Sequence, residues 1–130
     1  MPLRLTYMED GGIIAKGDGL LTGSEINEAN DKIYESPDKI KKIIYQICDL
    51  TNVSDINISD SELRALSFQD TEASKINPNM LIAVVGEKDI TFGLARMWEA
   101  FSYDSPFETM VFRKMEDAQQ WIREKLHKKP

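Results

Sequence analysis

Two short, almost continuous apolar runs limit the folds available to this chain. The first run is Ile43–Leu50 and the second is Met80–Val85. Runs of this length and composition are typical of β-strands covered on both faces, which occur mainly in parallel sheets packed between helices. Both runs are far shorter than the roughly 20 apolar residues of a transmembrane helix. The sequence therefore predicts a layered α/β protein without a membrane span.

Two capping boxes mark the starts of helices beside these runs. They are Thr22-Gly-Ser-Glu25 and Ser59-Asp-Ser-Glu62. In each box the first hydroxyl can accept from the third helical amide, while the glutamate accepts from the amide of the capping residue. Apolar residues at helical spacing follow each box. Because proline disfavours helical geometry in the residue before it, we expect the first helix to end at Ser36-Pro37 and the second at Asn77-Pro78.

The first residues of the chain have the pattern of a β-hairpin. Leu3–Met8 alternates between apolar and polar residues, and Gly12–Lys16 is a second β-rich run. Asp10-Gly11, between the two runs, suits a tight primed turn because glycine adopts positive φ without steric cost. The first two strands are therefore expected to be antiparallel.

The last third of the chain supplies two more helices and a strand. A third helix is predicted with Trp98 at the margin of a buried stripe, which consists of Ile90, Leu94, Met97 and Phe101. Phe107–Arg113 reads as a last strand, and Trp121 and Ile122 should dock a fourth helix, so that Trp121→Ala would cost roughly 3–5 kcal/mol. The predicted fold is α/β: a mixed five-stranded sheet with four helices in the order ββαβαβαβα, one domain over residues 1–130.

Charge and cysteine content exclude several classes of protein. The 130 residues include 16 basic and 22 acidic ones, and the resulting net charge of -6 would repel the phosphates of a nucleic acid. Cys48 is the only cysteine, which excludes an intrachain disulfide and agrees with a reducing compartment. The polar start Met1–Arg4 lacks the apolar region of a signal peptide. We therefore expect a cytoplasmic protein that binds no nucleic acid.

No residue pattern indicates catalysis. An activated serine or cysteine commonly needs a nearby base, and the only histidine, His127, lies close to the last residue. No cysteine and histidine cluster suits zinc and no glycine-rich loop suits phosphate, so neither a metal nor a cofactor is expected. Four acids, interpreted as solvated charges rather than an acid/base pair, are Asp49, Asp55, Asp60 and Asp70.

The third helix is unusually aromatic, which makes it the candidate ligand site. Large rings are common in pockets and interfaces, although core packing would also account for them. The candidate ligand-binding residues are Phe92, Arg96, Met97, Trp98 and Phe101. Arg96 could hold an acidic head group, or it could form a surface ion pair with Glu99.

Four short motifs occur in an order that is found in one known family. They are Leu21–Glu25 at the start of the first helix, Asp49-Leu50 in the central strand, Phe92–Trp98 in the third helix, and Val111–Arg113 followed by Ala118 and Trp121-Ile122. With the order of elements, they make the chain resemble the SpoIIAA-like branch of the STAS superfamily, whose members are also compared with CRAL-TRIO lipid-binding domains. The resemblance covers nearly the whole chain and implies a STAS-like fold with a regulatory role.

The resemblance also indicates a partner surface. In anti-sigma antagonists of this superfamily, a strand ending in Asp-Leu-Ser-x-Val precedes an Asp-Ser-Ser-Gly turn whose serine is phosphorylated. Asp49–Val53 is similar to the first half, whereas Ser54–Ser59 departs from the second. Asp49, at the carboxyl end of the predicted central strand, and Ser59 and Ser61, at the start of the second helix, are the candidates for a partner contact or a phospho-switch.

Two functions follow from these observations. The leading one is a non-enzymatic regulatory module that binds a protein partner around Ser59 and Ser61. The alternative is a binder of a small apolar or lipid-like ligand between the third helix and the sheet, which the aromatic residues motivate. The sequence is also compatible with a homodimer.

Overall fold

The computed structural model describes residues 3–128, and within them it contains one sheet and five helices. In chain order the elements are β1 Leu3–Tyr7, β2 Gly12–Thr22, α1 Gly23–Ile33, α2 Pro37–Lys41, β3 Tyr45–Asn57, α3 Asp60–Ile76, β4 Leu81–Val85, α4 Asp89–Phe101, β5 Glu108–Phe112 and α5 Met115–Lys128. The strands lie side by side in the order β1-β2-β3-β4-β5. Only the β1–β2 pair is antiparallel, and the other three pairs are parallel. The predicted mixed five-stranded sheet is confirmed.

Helices cover both faces of this sheet. The core on one face is formed with α1, α3 and α4, and the core on the other face is formed with α5. The packing of strand β4 explains why its sequence is apolar throughout. Ile82 and Val84 belong to the first core, whereas Leu81, Ala83 and Val85 belong to the second. Both faces of the strand are therefore buried, as the apolar run predicted.

The turn between β1 and β2 differs from the predicted two-residue turn. The Met8 N–H donates to the Gly12 carbonyl at 2.8 Å, and the Gly11 N–H donates to the Met8 carbonyl at 3.2 Å. Gly11 has a φ of 88°, but Asp10 does not have positive φ, which a primed turn with Asp10 in its first central position would require. The connection is therefore a three-residue loop that ends in a left-handed glycine.

Strands β2 and β3 continue well beyond the segments that the sequence predicted. The expected ends were Lys16 and Leu50, whereas the strands end at Thr22 and Asn57. The two strands remain paired along this extension, with register shifts between Lys16 and Asp18 and between Gly19 and Leu20. Bulges of this kind break the alternation of side chains, so the periodicity did not reveal the second half of either strand.

Residues 3–128 contain one helix more than predicted. The first helix ends at Ile33, and Ser36-Pro37 begins the short helix α2 instead of ending α1. The Ser36 side chain accepts a hydrogen bond from the Lys39 amide, and Pro37 occupies the first turn. Proline is well tolerated there because the amide it lacks would have no helical partner.

The buried face of α4 is rotated from the predicted stripe. Ile90 and Met97 are 47% and 39% exposed, so their assignment to the core is wrong. The buried residues of the helix are Thr91, Ala95 and Trp98. The Thr91 hydroxyl donates to the Lys88 carbonyl at 3.0 Å, so a polar residue can be buried here without losing its hydrogen bond. A helical wheel that counts only apolar residues cannot anticipate this face.

Helix α5 packs on the sheet as predicted, but its tryptophan is less buried than expected. Ile122 is 4% exposed and belongs to the core on this face. Trp121 is only partly buried, and its ring centroid lies 5.9 Å from that of Phe112. No helix within residues 3–128 is both long enough and apolar enough to cross a bilayer.

Partial burial of Trp121 lowers the expected cost of removing it. We expect Trp121→Ala to reduce the free energy of unfolding by about 2 kcal/mol, below the range for fully buried aromatic truncations. Urea denaturation monitored by circular dichroism would measure this loss. A loss equal to that of a fully buried tryptophan would show that α5 packs more deeply than described.

Candidate functional site

A cavity of about 90 Å³ lies between the sheet and the layer formed by α1, α3 and α4. Its walls are mostly apolar side chains, among them Leu50, Leu63, Leu66, Ile82 and Val84. One water molecule requires roughly 10–15 Å³ of such space, so the cavity exceeds a single-water void several-fold. A space of this size and lining suits a small apolar group.

One end of the cavity is polar and is organised around Asp70 of α3. The Tyr34 hydroxyl donates to Asp70 Oδ1 at 2.6 Å, and the Trp98 indole N–H donates to Asp70 Oδ2 at 2.9 Å. The Asn30 amide also lies within 3.4 Å of Asp70 Oδ1. The Gln46 amide donates to the Tyr34 hydroxyl at 2.7 Å. This network joins three helices to the central strand.

Burial shifts the ionisation of the groups at this end. Asp70 is 5% exposed, and burial raises its pKa to about 6, although hydrogen bonds from Tyr34, Trp98 and Asn30 act in the opposite direction. Burial and the nearby Asp70 also raise the pKa of Tyr34 well above its ordinary value. Burial raises the pKa of the Cys48 thiol to about 12, with Asp49 and Asp70 adding to the shift. The tyrosine and the thiol are therefore neutral at physiological pH, whereas Asp70 is mostly ionised.

The other end of the cavity is apolar and faces the carboxyl edge of the sheet. Gln46 is the second residue of β3, whereas Ile56 and Ile58 lie near its end and just beyond it. Ile26 and Leu94 line the same end from the first halves of α1 and α4. These four isoleucine and leucine side chains retain partial exposure. The cavity therefore runs from a buried carboxylate to an apolar opening at the carboxyl edge of the sheet.

Of the five residues of α4 predicted to bind a ligand, Trp98 lines the cavity. Phe101 packs under the guanidinium of Arg64 at 4.2 Å, and Phe92 packs under that of Arg113 at 4.2 Å. Both rings are therefore engaged by cations from neighbouring elements.

The other two predicted ligand residues do not line the cavity either. Arg96 Nε lies 3.1 Å from Glu99 Oε1, which is the surface ion pair that the sequence suggested. Met97 is 39% exposed. The structure thus places Trp98 in the wall of the cavity. It does not place Phe92, Arg96, Met97 or Phe101 there.

Asp49 does not lie at the end of its strand. Because β3 continues to Asn57, Asp49 instead pairs with Val85, where the neighbouring strand β4 ends. Asp49 is 6% exposed, and its Oδ1 accepts from the Thr51 amide at 3.0 Å and from the Thr51 hydroxyl at 2.7 Å. These bonds to a residue of the same strand give the buried carboxylate local hydrogen-bond donors.

Ser59 and Ser61 lie exposed at the N-terminal end of α3. The predicted capping box is present: the Glu62 amide donates to Ser59 Oγ at 3.2 Å, and the Ser59 amide donates to Glu62 Oε1 at 2.9 Å. Ser61 Oγ lies 3.1 Å from Ser59 Oγ. A Cβ on Gly23 would come within 2.6 Å of Glu62 Cδ, so the N-terminal ends of α1 and α3 are adjacent.

The interpretation of the four acids as solvated is wrong for two of them, since Asp49 and Asp70 are buried. Asp70 follows Leu63 by seven residues and Leu66 by four, and it precedes Ala73 by three. A charged residue on the apolar stripe of a helix is the signal that could have singled it out. No group of three or more metal-binding side chains occurs among the described residues.

Comparisons with known proteins reveal similarity in structure but not in sequence. No protein-family model matches the chain, and no curated protein matches it significantly in sequence. The solved structure of the anti-sigma factor antagonist SpoIIAA in its unphosphorylated form covers 93% of this chain and 97% of its own, with a TM-score of 0.60 and 13% identity.

A second solved structure is that of the Bacillus cell fate determinant SpoIIAA in its phosphorylated form. It covers 93% of this chain and 99% of its own, with a TM-score of 0.61 and 12% identity. At this identity the likeness concerns the fold. The chain therefore has a SpoIIAA-like STAS fold.

Proposed function

We propose that the protein is a non-enzymatic regulatory module that binds a protein partner through the surface at the N-terminal end of α3. The observation that supports this most directly is the likeness, over 93% of the chain, to a protein that is an anti-sigma factor antagonist. Ser59 and Ser61 are exposed on this surface, and the adjacent N-terminal end of α1 extends it. The partner site is therefore built from two neighbouring helix ends and the tip of β3.

A phosphate on one of the two serines would regulate this contact. SpoIIAA has been solved in phosphorylated and unphosphorylated forms. In this chain the Ser59 hydroxyl lies 3.1 Å from Glu62 Oε1, so a phosphate on Ser59 would displace or be repelled by that carboxylate. Ser61 lies in the first turn of α3, where the helix dipole stabilises a negative group. Phosphorylation of Ser61, unlike that of Ser59, would leave the capping box intact.

A positive charge introduced at Ser61 tests the proposed surface. We expect Ser61→Lys to reduce capture of a protein partner from the host by at least about tenfold, since a bulky cation would be desolvated at the centre of the contact. The measurement is quantitative mass spectrometry after mild crosslinking. Gln119→Lys, an exposed change on α5 at the opposite face of the sheet, is the matched control and should retain the partner.

Two results would contradict the proposal. One is equal capture by the wild type and by Ser61→Lys, which would place the contact elsewhere. The other is the absence of any protein that depends on this surface. Phosphopeptide mapping of the protein from its host tests the switch separately. If Ser59 and Ser61 are unmodified under growth and starvation, the role of Ser59 is that of a helix cap, which contributes about 1 kcal/mol to stability.

The second candidate function is binding of a small apolar ligand, and the cavity of about 90 Å³ behind α4 favours it. Its apolar opening gives a ligand a route to the interior. Native mass spectrometry of the purified protein, followed by denaturation, would reveal a retained small molecule. Recovery of the bare chain alone, together with failure of added apolar compounds to bind, would reject this candidate.

We propose that the chain functions in the cytoplasm as one domain, with a different protein rather than a second copy as its partner. The single cysteine is consistent with a reducing compartment, because no disulfide within the chain is available to stabilise it. Sedimentation velocity at several concentrations distinguishes a monomer from a homodimer.

A further inference from the structure

The buried carboxylate in the cavity has no basic partner. The ion pairs among residues 3–128 do not include Asp70. Its hydrogen-bond donors are the hydroxyl of Tyr34, the indole of Trp98 and the amide of Asn30, all of which are neutral. A buried charge is ordinarily compensated by an opposite charge or a metal ion. Asp70 therefore has an unmet electrostatic requirement.

The carboxylate also has room for a further hydrogen bond. An ionised carboxylate offers about four acceptor positions, and the three donors leave at least one of them open. Asp70 borders the cavity, so a group inside the cavity can approach it. A donor placed there would add to the existing network without displacing any of its members.

We propose that the cavity binds a small organic amine whose ammonium group contacts Asp70 and whose apolar body extends toward the opening at the carboxyl edge of the sheet. The inference rests on the second candidate function above and specifies its ligand. A neutral head group would not compensate the charge, and a carboxylate head group would be repelled by it. A bare metal ion would leave the apolar walls unused and would find a single carboxylate.

The dimensions of the cavity set the size of the ligand. Leu63, near the opening, and Asp70, at the polar end, are seven residues apart on α3, which corresponds to about 10 Å along the helix axis. Thr91 and Trp98 are separated by the same interval on α4. An unbranched alkyl chain of moderate length fits this span better than a long acyl chain.

A matched series of hexyl compounds tests the proposal on the wild-type protein. n-Hexylamine, n-hexanol and n-hexanoate differ only in their head groups, and isothermal titration near neutral pH measures their affinities. We expect the amine to bind at least about tenfold more tightly than the alcohol, and the carboxylate to bind more weakly than both. Moderate salt in the buffer suppresses attraction to the acidic surface of the protein.

The two tryptophans report where the amine binds. The indole N–H of Trp98 donates to Asp70, whereas Trp121 lies on the other face of the sheet. In a nitrogen–proton correlation spectrum, we expect n-hexylamine to shift the Trp98 indole signal and to leave that of Trp121 unchanged. Shifts of equal size in both signals would indicate surface binding and would contradict the proposal.

Variants separate the role of the charge from that of the cavity. Asp70→Asn should abolish the preference for the amine over the alcohol, and Asp104→Asn, the same change at an exposed aspartate, should retain it. If Asp70→Asn does not fold, the wild-type series alone decides. Equal binding of alcohol and amine at Trp98 would overturn the amine proposal while supporting an apolar ligand. Binding of none of the three compounds would reject both proposals.

Discussion

Replacing Trp98 by alanine should lower the free energy of unfolding by about 3–5 kcal/mol, the range measured for buried aromatic residues. Trp98 is 6% exposed, and its ring centroid lies 6.0 Å from that of Phe107, which immediately precedes β5. The truncation would enlarge the cavity that Trp98 already lines. It would also remove the donor to Asp70 Oδ2. Both effects destabilise the native state.

A conservative replacement distinguishes these two effects. Trp98→Phe keeps most of the apolar surface but removes the indole N–H, so we expect a loss of about 1.5–3 kcal/mol, the cost of a hydrogen bond to a charged group. Tyr103→Ala removes a ring that is 87% exposed just beyond α4, and it should change stability by less than about 0.5 kcal/mol. Chemical denaturation of the three variants measures all of these values. A small loss for Trp98→Ala would show that α4 does not close the cavity.

The elements that the sequence predicted correctly depend on local signals. Both capping boxes form as expected, because Thr22 and Glu25, like Ser59 and Glu62, are separated by only three residues. The buried strands were equally clear, since a strand with both faces covered has apolar residues at nearly every position. The extension of β2 and β3 was missed because register shifts interrupt their alternation. Local regularity therefore determined which parts of the fold could be predicted.

The polar end of the cavity depends on contacts between distant parts of the chain. Asp70 is 36 residues from Tyr34, 40 from Asn30 and 28 from Trp98 along the sequence. No spacing rule links such residues, and each has an ordinary interpretation when considered alone. Trp98 was predicted as a ligand residue because it is aromatic, but its bond to a buried carboxylate appears only when α3 and α4 are packed together. The site arises from tertiary packing rather than from a motif.

Asp70 should make the protein less stable as the pH rises from about 4 to about 6. Its pKa is raised from 3.8 to about 6 by burial, so the folded state binds the Asp70 proton more tightly than the unfolded state does. Stability falls with pH wherever the folded state binds more protons. A difference of about 2 units corresponds to about 3 kcal/mol, which is present below pH 4 and lost once the pH exceeds 6.

Groups next to Asp70 do not obscure this effect. Tyr34 and Cys48 have raised pKa values and stay neutral throughout this range, and the other two donors, Asn30 and Trp98, do not ionise. Other carboxylates of the chain contribute their own pH dependence, so the effect is measured as a difference between variants. Urea denaturation at pH 4 to 7 should show that Asp70→Asn gains stability relative to the wild type as the pH rises.

The exposed change Asp104→Asn is the control, and its stability should follow that of the wild type across the same range. A constant difference between Asp70→Asn and the wild type from pH 4 to 7 would mean that Asp70 titrates in the folded protein as it does in the unfolded chain. The carboxylate would then be solvated or already paired with a cation. If a cation is bound, dialysing the protein in denaturant and then refolding it would remove a bound amine. The pH dependence should then appear when the titration is repeated.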